Sequence, residues 1–169
     1  MPRDPLDMPH AALQPKWLAG LRVYLGVSAL AHLAWEVLQL PLYTLWQTGT
    51  GRDIAFAVLH CTAGDVLIAA LTLLSALLVV GAPAWPIASF GRVTAATILL
   101  GIAYTAWSEY LNTSIRGSWS YSELMPVVPP FGTGLAPLAQ WLVVPLLCLG
   151  LARRAVSRIP SVETGCKRC

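Results

Sequence analysis

The sequence predicts an all-α fold, a polytopic membrane protein built as a bundle of four transmembrane helices. Hydrophobic residues make up 56% of the chain and charged residues only 11%, against about 25% charged residues in soluble domains. Polar side chains this scarce cannot cover a water-exposed surface, so lipid is the expected solvent. The 169 residues suit one domain, with no room for a separate soluble domain.

Four apolar stretches are long enough to cross a hydrocarbon core about 30 Å thick. The first stretch stops at Pro41, and Gly81 and Pro83 follow the second. We predict a transmembrane domain over residues 17–152, with spans at about 18–40, 54–80, 90–111 and 134–151.

The two ends of the chain read as polar tails. Residues 1–16 are interrupted by prolines and lack the basic region of a signal peptide, so we expect a disordered tail followed by a retained helix. Residues 153–169 form a basic tail that ends in a CxxC motif, Cys166 and Cys169. This motif could bind a soft metal, but without a surrounding fold it is more typical of a disordered tail.

Positive charge orients the bundle. Of the 11 lysines and arginines, all but Arg52 and Arg116 fall on one side of a four-span arrangement. Positive charge marks the cytoplasmic side, so both termini are expected in the cytoplasm, at a bacterial-type inner membrane. The basic residues are too dispersed for a phosphate-binding patch, and we expect no nucleic-acid partner.

The second outer loop, residues 112–133, is long and rich in tryptophan and proline. It contains Trp119, Pro126, Pro129 and Pro130. Two interpretations remain open for it: a cap folded over the mouth of the bundle, or a plain connecting loop.

Five ionisable side chains fall inside the predicted spans: His32, Glu36, His60, Asp65 and Glu109. An ionisable group at the bilayer centre costs about 2.5–3.5 kcal/mol even on lenient insertion scales. From the rise of a helix, these residues and Gln140 all lie in the outer half of the bundle, from about 3 to about 16 Å deep. We therefore expect them to converge on one site.

Spacing along the helices supports this convergence. His32 and Glu36 are four residues apart and share one helix face, as do Cys61 and Asp65. His60 can face the same interior only if that face is broad. Gly64, beside Asp65, is expected to let a neighbouring helix approach closely.

The site has two interpretations. Imidazole and carboxylate groups suit a divalent transition metal or a proton, with His32, Glu36, His60, Asp65 and Glu109 as candidate metal ligands. Alternatively, the same groups form an interhelical hydrogen-bond network that only fixes packing, with Glu36 paired to His32 or to Arg116.

Two short stretches resemble parts of the EXPERA sterol-isomerase bundles: the HxxxE motif at His32 and Glu36, and residues Gly64 to Leu67. The rest of the chain does not follow that pattern. The resemblance implies a cavity open to lipid, in which acidic and histidine side chains move a double bond.

Three functions are expected, in decreasing order. The first is an inner-membrane protein whose outward-facing polar site binds or passes a metal ion or a proton. The second is an integral-membrane enzyme that acts on a lipid or isoprenoid by acid/base chemistry. The third is a structural or assembly subunit. The lipid bilayer is the expected partner, and self-association or a membrane complex remains open.

Overall fold

The computed structural model describes residues 10–159, with side chains described from Lys16 onward. Four long helices dominate: α1 (His10–Gln39), α3 (Gly51–Val80), α4 (Phe90–Tyr110) and α5 (Leu135–Ser157). The connections contain a 3-10 turn (Leu40–Leu42), the short helix α2 (Leu45–Thr48), a π-helical turn (Leu111–Ile115) and two strands, β1 (Val127–Val128) and β2 (Thr133–Gly134).

The long helices form a closed ring in which each packs against two neighbours. Helix α1 contacts α3 and α5, and α4 contacts the same two helices from the opposite side. The connection after α1 and the one after α4 therefore lie at the same end of the bundle. We call this the loop end, formed by residues 40–50 and 111–134.

Three of the helical segments are long and apolar enough to cross a membrane: Lys16–Leu42, Gly51–Val80 and Leu135–Ser157. Their outward faces carry apolar side chains, and Leu78 and Val79 are each 82% exposed. The chain therefore has the character of a membrane protein. Helix α4 has 21 residues, about 31 Å at helical rise, but threonines, glycines and tyrosines lower its hydropathy.

The helix boundaries differ from the predicted spans mainly at their starts. Helix α1 begins at His10, inside the stretch for which a disordered tail is predicted, where Ala11 and Ala12 have high helix propensity. Helix α3 begins at Gly51, where Thr50 and Asp53 form a reciprocal capping box. Residues 1–9 and the CxxC of Cys166 and Cys169 lie outside the described residues.

The two connections at the loop end are hydrogen-bonded to each other. The Thr44 amide donates to the Ser120 carbonyl at 3.0 Å, and the Ser122 amide donates to the Leu42 carbonyl at 2.9 Å. Strands β1 and β2 pair antiparallel beside them. Long-range bonds of this kind fix the position of residues 120–134 over the end of the bundle.

At the opposite end the bundle has a dry core. The largest fully buried apolar side chains there come from several helices and from the α3–α4 connection: Leu73, Trp85, Val93 and Leu149. Gly20 allows this packing, since a Cβ atom there would lie 3.3 Å from both Trp85 and Pro86. This core holds the helices in register below the polar half.

Candidate functional site

The Gln140 side chain joins polar groups from three helices. Its amide nitrogen lies 2.8 Å from His32 Nδ1, 2.9 Å from Asp65 Oδ2 and 3.4 Å from Glu36 Oε1. His32, Glu36 and Gln140 are buried. The predicted convergence of α1 and α3 residues is therefore found, with α5 supplying the group at its centre. We call these four residues the polar cluster.

Helical spacing explains why two members of the polar cluster come from α1. Tyr24, Ser28, His32 and Glu36 follow one another at intervals of four residues, and all four are buried. Residues four apart lie on one helix face, so α1 presents a continuous polar stripe to α3 and α5. The HxxxE motif is the end of this stripe nearest the loop end.

The polar cluster has more acceptor atoms than donor hydrogens. The Gln140 amide nitrogen carries two hydrogens but faces three acceptor atoms. His32 Nδ1 also lies 3.5 Å from Asp65 Oδ2, so a proton on either atom is directed towards the other. Two adjacent carboxyls and an imidazole can thus hold a shared proton in more than one place.

Glu109 forms a second acidic centre nearer the loop end. Its Oε2 atom accepts a hydrogen bond from the Tyr121 hydroxyl and a longer one, 3.4 Å, from Trp119 Nε1. The Tyr121 oxygen in turn accepts from the Gly134 amide at 2.9 Å. Burial, together with the neighbouring Glu109 carboxylate, raises the pKa of Tyr121. Glu109 therefore anchors the long loop to the end of α4.

A cavity of about 550 Å³ connects the two acidic centres. Glu36, Asp65 and Glu109 all line it, with Gln39 and Gln140 beside them. The remaining wall is largely apolar and aromatic: Leu40, Tyr43, Phe56, Val58, Ile68, Tyr104, Trp119 and Trp141. This volume is in the range of pockets that bind small organic molecules.

The cavity reaches the surface of the bundle between α3 and α4. Phe56 and Tyr104, which line it, are 68% and 42% exposed. Arg116 and Ser118 lie at its rim on the loop end, and both are exposed. A molecule could therefore enter from the side of the helices or past the loop.

Trp141 separates the cavity from the buried imidazole. Its ring lies 5.3 Å from the His32 ring, centroid to centroid. On its other side, a Cβ atom at Gly101 would lie only 2.2 Å from Trp141 Cε3. Glycine at position 101 therefore lets the indole pack flat against α4 and hold its place beside His32.

His60 is set apart from the polar cluster. It is exposed and stacks on Phe56, with ring centroids 5.6 Å apart and an angle of 13° between planes, although it also borders the cavity. Within residues 10–159, no group of three or more histidine, cysteine, aspartate or glutamate side chains is placed to hold a metal ion.

Two expected contacts are not formed. A Cβ atom at Gly64 would meet nothing within 4 Å, so this glycine faces the open cavity, and the expected close helix approach is wrong. In the described part of the chain Glu36 makes no ion pair with Arg116. It accepts from Gln39 and Gln140 instead, at 2.7 and 3.4 Å, because Arg116 lies exposed at the rim.

The described cysteines are free thiols. Cys61 borders the cavity beside Asp65, whereas Cys148 is buried in the core. Neither forms part of the polar cluster.

Sequence reasoning missed several residues that shape the site. Gln140 was noticed only for its depth, although an amide inside an apolar run is itself a signal of interhelical bonding. Gln39 follows Glu36 by three residues and so lies on the same face. Tyr121, Trp119 and Trp141 carry no distinguishing spacing, since their partners are distant in sequence.

Comparison of the chain with protein-family models, with curated proteins and with solved structures gives no significant match. The functional argument therefore rests on the geometry of the cavity.

Proposed function

We propose that this protein is an integral-membrane enzyme that binds a small lipid or isoprenoid in the cavity and transforms it by acid/base chemistry. One observation carries the proposal: Glu36 and Asp65 meet on a single amide at the wall of a largely apolar cavity of about 550 Å³. A bare ion needs far less room, whereas an organic molecule fits this volume.

The carboxyl pair suits proton transfer for a physical reason. Two carboxyl groups in close contact inside an apolar environment do not both ionise, so one holds a proton while the other is charged. The pair then offers an acid and a base to the same substrate. The base takes a proton from one substrate atom, the acid gives its proton to another, and the pair ends with one shared proton.

The supporting residues have different roles in this proposal. Glu36 and Asp65 line the cavity and would touch the substrate. Gln140 orients both carboxyls through its amide nitrogen. His32 does not border the cavity and acts as a positioning residue, bonded to Gln140 and close to Asp65.

Deuterium exchange tests the chemistry without knowledge of the substrate. Purified protein is incubated in D₂O with a total lipid extract, and deuterium in the recovered lipids is measured by mass spectrometry. We expect incorporation into one lipid class, reduced about 100-fold or more in Asp65→Asn, while thermal stability is unchanged or higher.

Glu123→Gln is the matched control, because Glu123 is exposed and does not border the cavity. It should exchange like the wild type. Incorporation no higher than in a protein-free sample would overturn the proposal.

A second candidate is the binding or passage of a cation or proton. It is favoured by the charge of the cavity, where three carboxyl groups face one rim arginine, Arg116. A divalent transition metal held by some of His32, Glu36, His60, Asp65 and Glu109 belongs to this candidate. Metal analysis of the detergent-purified protein, compared with a His32→Ala/His60→Ala variant, tests it: equal metal content in both excludes a histidine-ligated metal.

We further propose four membrane spans, with α4 as the third, at a bacterial-type inner membrane with both termini in the cytoplasm. The positive charges support this orientation, which places the loop end outside. A reporter fused after Arg168 should be active in the cytoplasm, and one inserted near Gly132 only in the periplasm. The reverse pattern would invert the orientation of the cavity.

A further inference from the structure

Gln39 presents an unused acceptor to the cavity. The residue is only 6% exposed and borders the cavity. Its amide nitrogen donates to Glu36 Oε1 at 2.7 Å, while its carbonyl oxygen, Oε1, is buried without a hydrogen-bond partner in the described part of the chain. Buried amide oxygens are almost always hydrogen-bonded, so this atom is positioned for a donor that comes from outside the chain.

The donors nearest to this acceptor are already used. The Gln140 amide nitrogen is shared among three acceptor atoms. Trp119 Nε1 is bonded to Glu109, and the Asn112 amide nitrogen donates to the Ser108 carbonyl at 2.9 Å. None of these groups is free to bond Gln39 Oε1.

The polar wall of the cavity is therefore made mainly of acceptors. Gln39 Oε1 stands next to the Glu36 carboxyl, and the Asp65 carboxyl shares the Gln140 amide with it. A ligand head group that only accepts hydrogen bonds would leave these oxygens unpaired, and a phosphate would also meet two acidic side chains. A head group with an O–H or N–H donor satisfies them.

We propose that the ligand of this cavity is an apolar chain that ends in a hydrogen-bond donor, a hydroxyl or amino group, bound by Gln39 Oε1 and the adjacent carboxyls. This inference rests on the proposed binding of a lipid-soluble molecule in the cavity, but not on acid/base chemistry there. Ketones, ethers, esters and phosphates on the same chain are predicted to bind weakly.

Three probes with one chain test the donor requirement: a C15 isoprenoid primary alcohol, its methyl ether and the corresponding primary amine. Affinity is measured for the detergent-solubilised full chain by quenching of tryptophan fluorescence, since Trp119 and Trp141 border the cavity. We expect the alcohol or the amine to bind about tenfold or more tightly than the ether. The two donor probes also distinguish a hydroxyl from an amino ligand.

Gln39→Leu removes the acceptor and keeps a similar volume. It should lower the ratio of donor-probe affinity to ether affinity by about tenfold, and use of a ratio cancels differences in partition into detergent. Gln47→Leu is the matched control, because Gln47 is exposed on α2 and does not border the cavity. Should Gln39→Leu fail to fold, Gln39→Met removes the same oxygen with a flexible side chain.

Equal affinity for all three probes, no binding of either donor probe, or an unchanged ratio in Gln39→Leu would each overturn the donor requirement. The outcome is separable from that of the deuterium test. A donor preference without deuterium exchange would remove the acid/base chemistry alone, whereas exchange without a donor preference would remove this inference alone.

Discussion

The two halves of the bundle treat buried polar side chains in different ways. In the half away from the loop end, Thr72 and Thr97 are buried, but each hydroxyl bonds a carbonyl four residues earlier in its own helix, at 2.8 and 2.9 Å. In the half at the loop end, His32, Asp65 and Gln140 find their partners on other helices.

This difference separates packing from site building. A hydroxyl that is satisfied within its own helix places no constraint on neighbouring helices. A polar group that is satisfied across helices fixes their relative position, and it exposes each helix to an unpaired group if the partner is lost. The polar half is therefore the more specific part of the fold, and the dry half supplies the packing that supports it.

The largest effect is expected from Gly101→Ala, at the junction of the two halves. The added Cβ would lie 2.2 Å from Trp141 Cε3, so the indole must move against His32. Overpacking of this kind costs about 1–3 kcal/mol, and displacement of His32 should also weaken ligand binding. Thermal unfolding in detergent and probe affinity measure the two effects.

Gly150→Ala is the control for this change, since a Cβ at that helical position meets nothing within 4 Å. It should be neutral or stabilising, because alanine has the higher helix propensity. Equal destabilisation by both substitutions would show that the Trp141 contact is not what makes position 101 sensitive.

The next effect concerns how the loop is held to the polar half. Glu109→Gln and Tyr121→Phe each remove one partner of the bond between α4 and the loop. A double-mutant cycle should give a coupling free energy of about 0.5–3 kcal/mol, with faster hydrogen exchange of residues 120–134 in either single variant. Tyr110→Phe, on the exposed side of the same helix end, should show no coupling to Glu109.

Additive effects of Glu109→Gln and Tyr121→Phe would contradict the anchoring role of Glu109. The loop would then be held by its backbone bonds to residues 42 and 44 alone.

Much of the helical architecture was accessible from sequence, and much of the site was not. Runs of apolar residues predict where α3, α4 and α5 lie, because membrane thickness sets the length of a span. The i, i+4 rule correctly placed His32 and Glu36 on one face. The error at Gly64 arose because a glycine in a helix indicates either a close contact or open space, and only the positions of neighbouring helices distinguish the two.

The partners of Glu36 could not be predicted for a related reason. Arg116 was the attractive candidate by charge, yet Gln39 and Gln140 occupy the carboxyl. Which polar group reaches another depends on helix rotation and on the path of the loop, and neither is encoded in spacing along one helix. The Tyr121–Glu109 bond was hidden in the same way.

A smaller effect on stability, but a large one on binding, is expected from Gly64→Leu. The side chain would extend into the cavity, where a Cβ meets nothing within 4 Å, so unfolding should change by no more than about 0.5 kcal/mol. Probe binding should be lost because the cavity is filled. Gly26→Leu, on the exposed face of α1, should leave both quantities unchanged.

Probe binding that survives Gly64→Leu would locate the ligand elsewhere on the protein. The cavity between α3 and α4 would then lose its role in the proposed function.

The smallest effect is expected from Thr97→Val in the dry half, and it gives the comparison of the two halves its reference point. The Thr97 hydroxyl bonds only the Val93 carbonyl of its own helix. Valine matches the volume of threonine, and the carbonyl keeps its backbone hydrogen bond, so the free energy of unfolding should change by no more than about 0.5 kcal/mol. Gln140→Leu in the polar half removes the donor shared by His32, Glu36 and Asp65, leaves buried acceptors unpaired, and should cost about 1–3 kcal/mol. Both values come from thermal unfolding in the same detergent. A cost for Thr97→Val equal to that for Gln140→Leu would mean that buried polar groups matter alike in both halves, and the loop end would lose its claim to be a specifically built site.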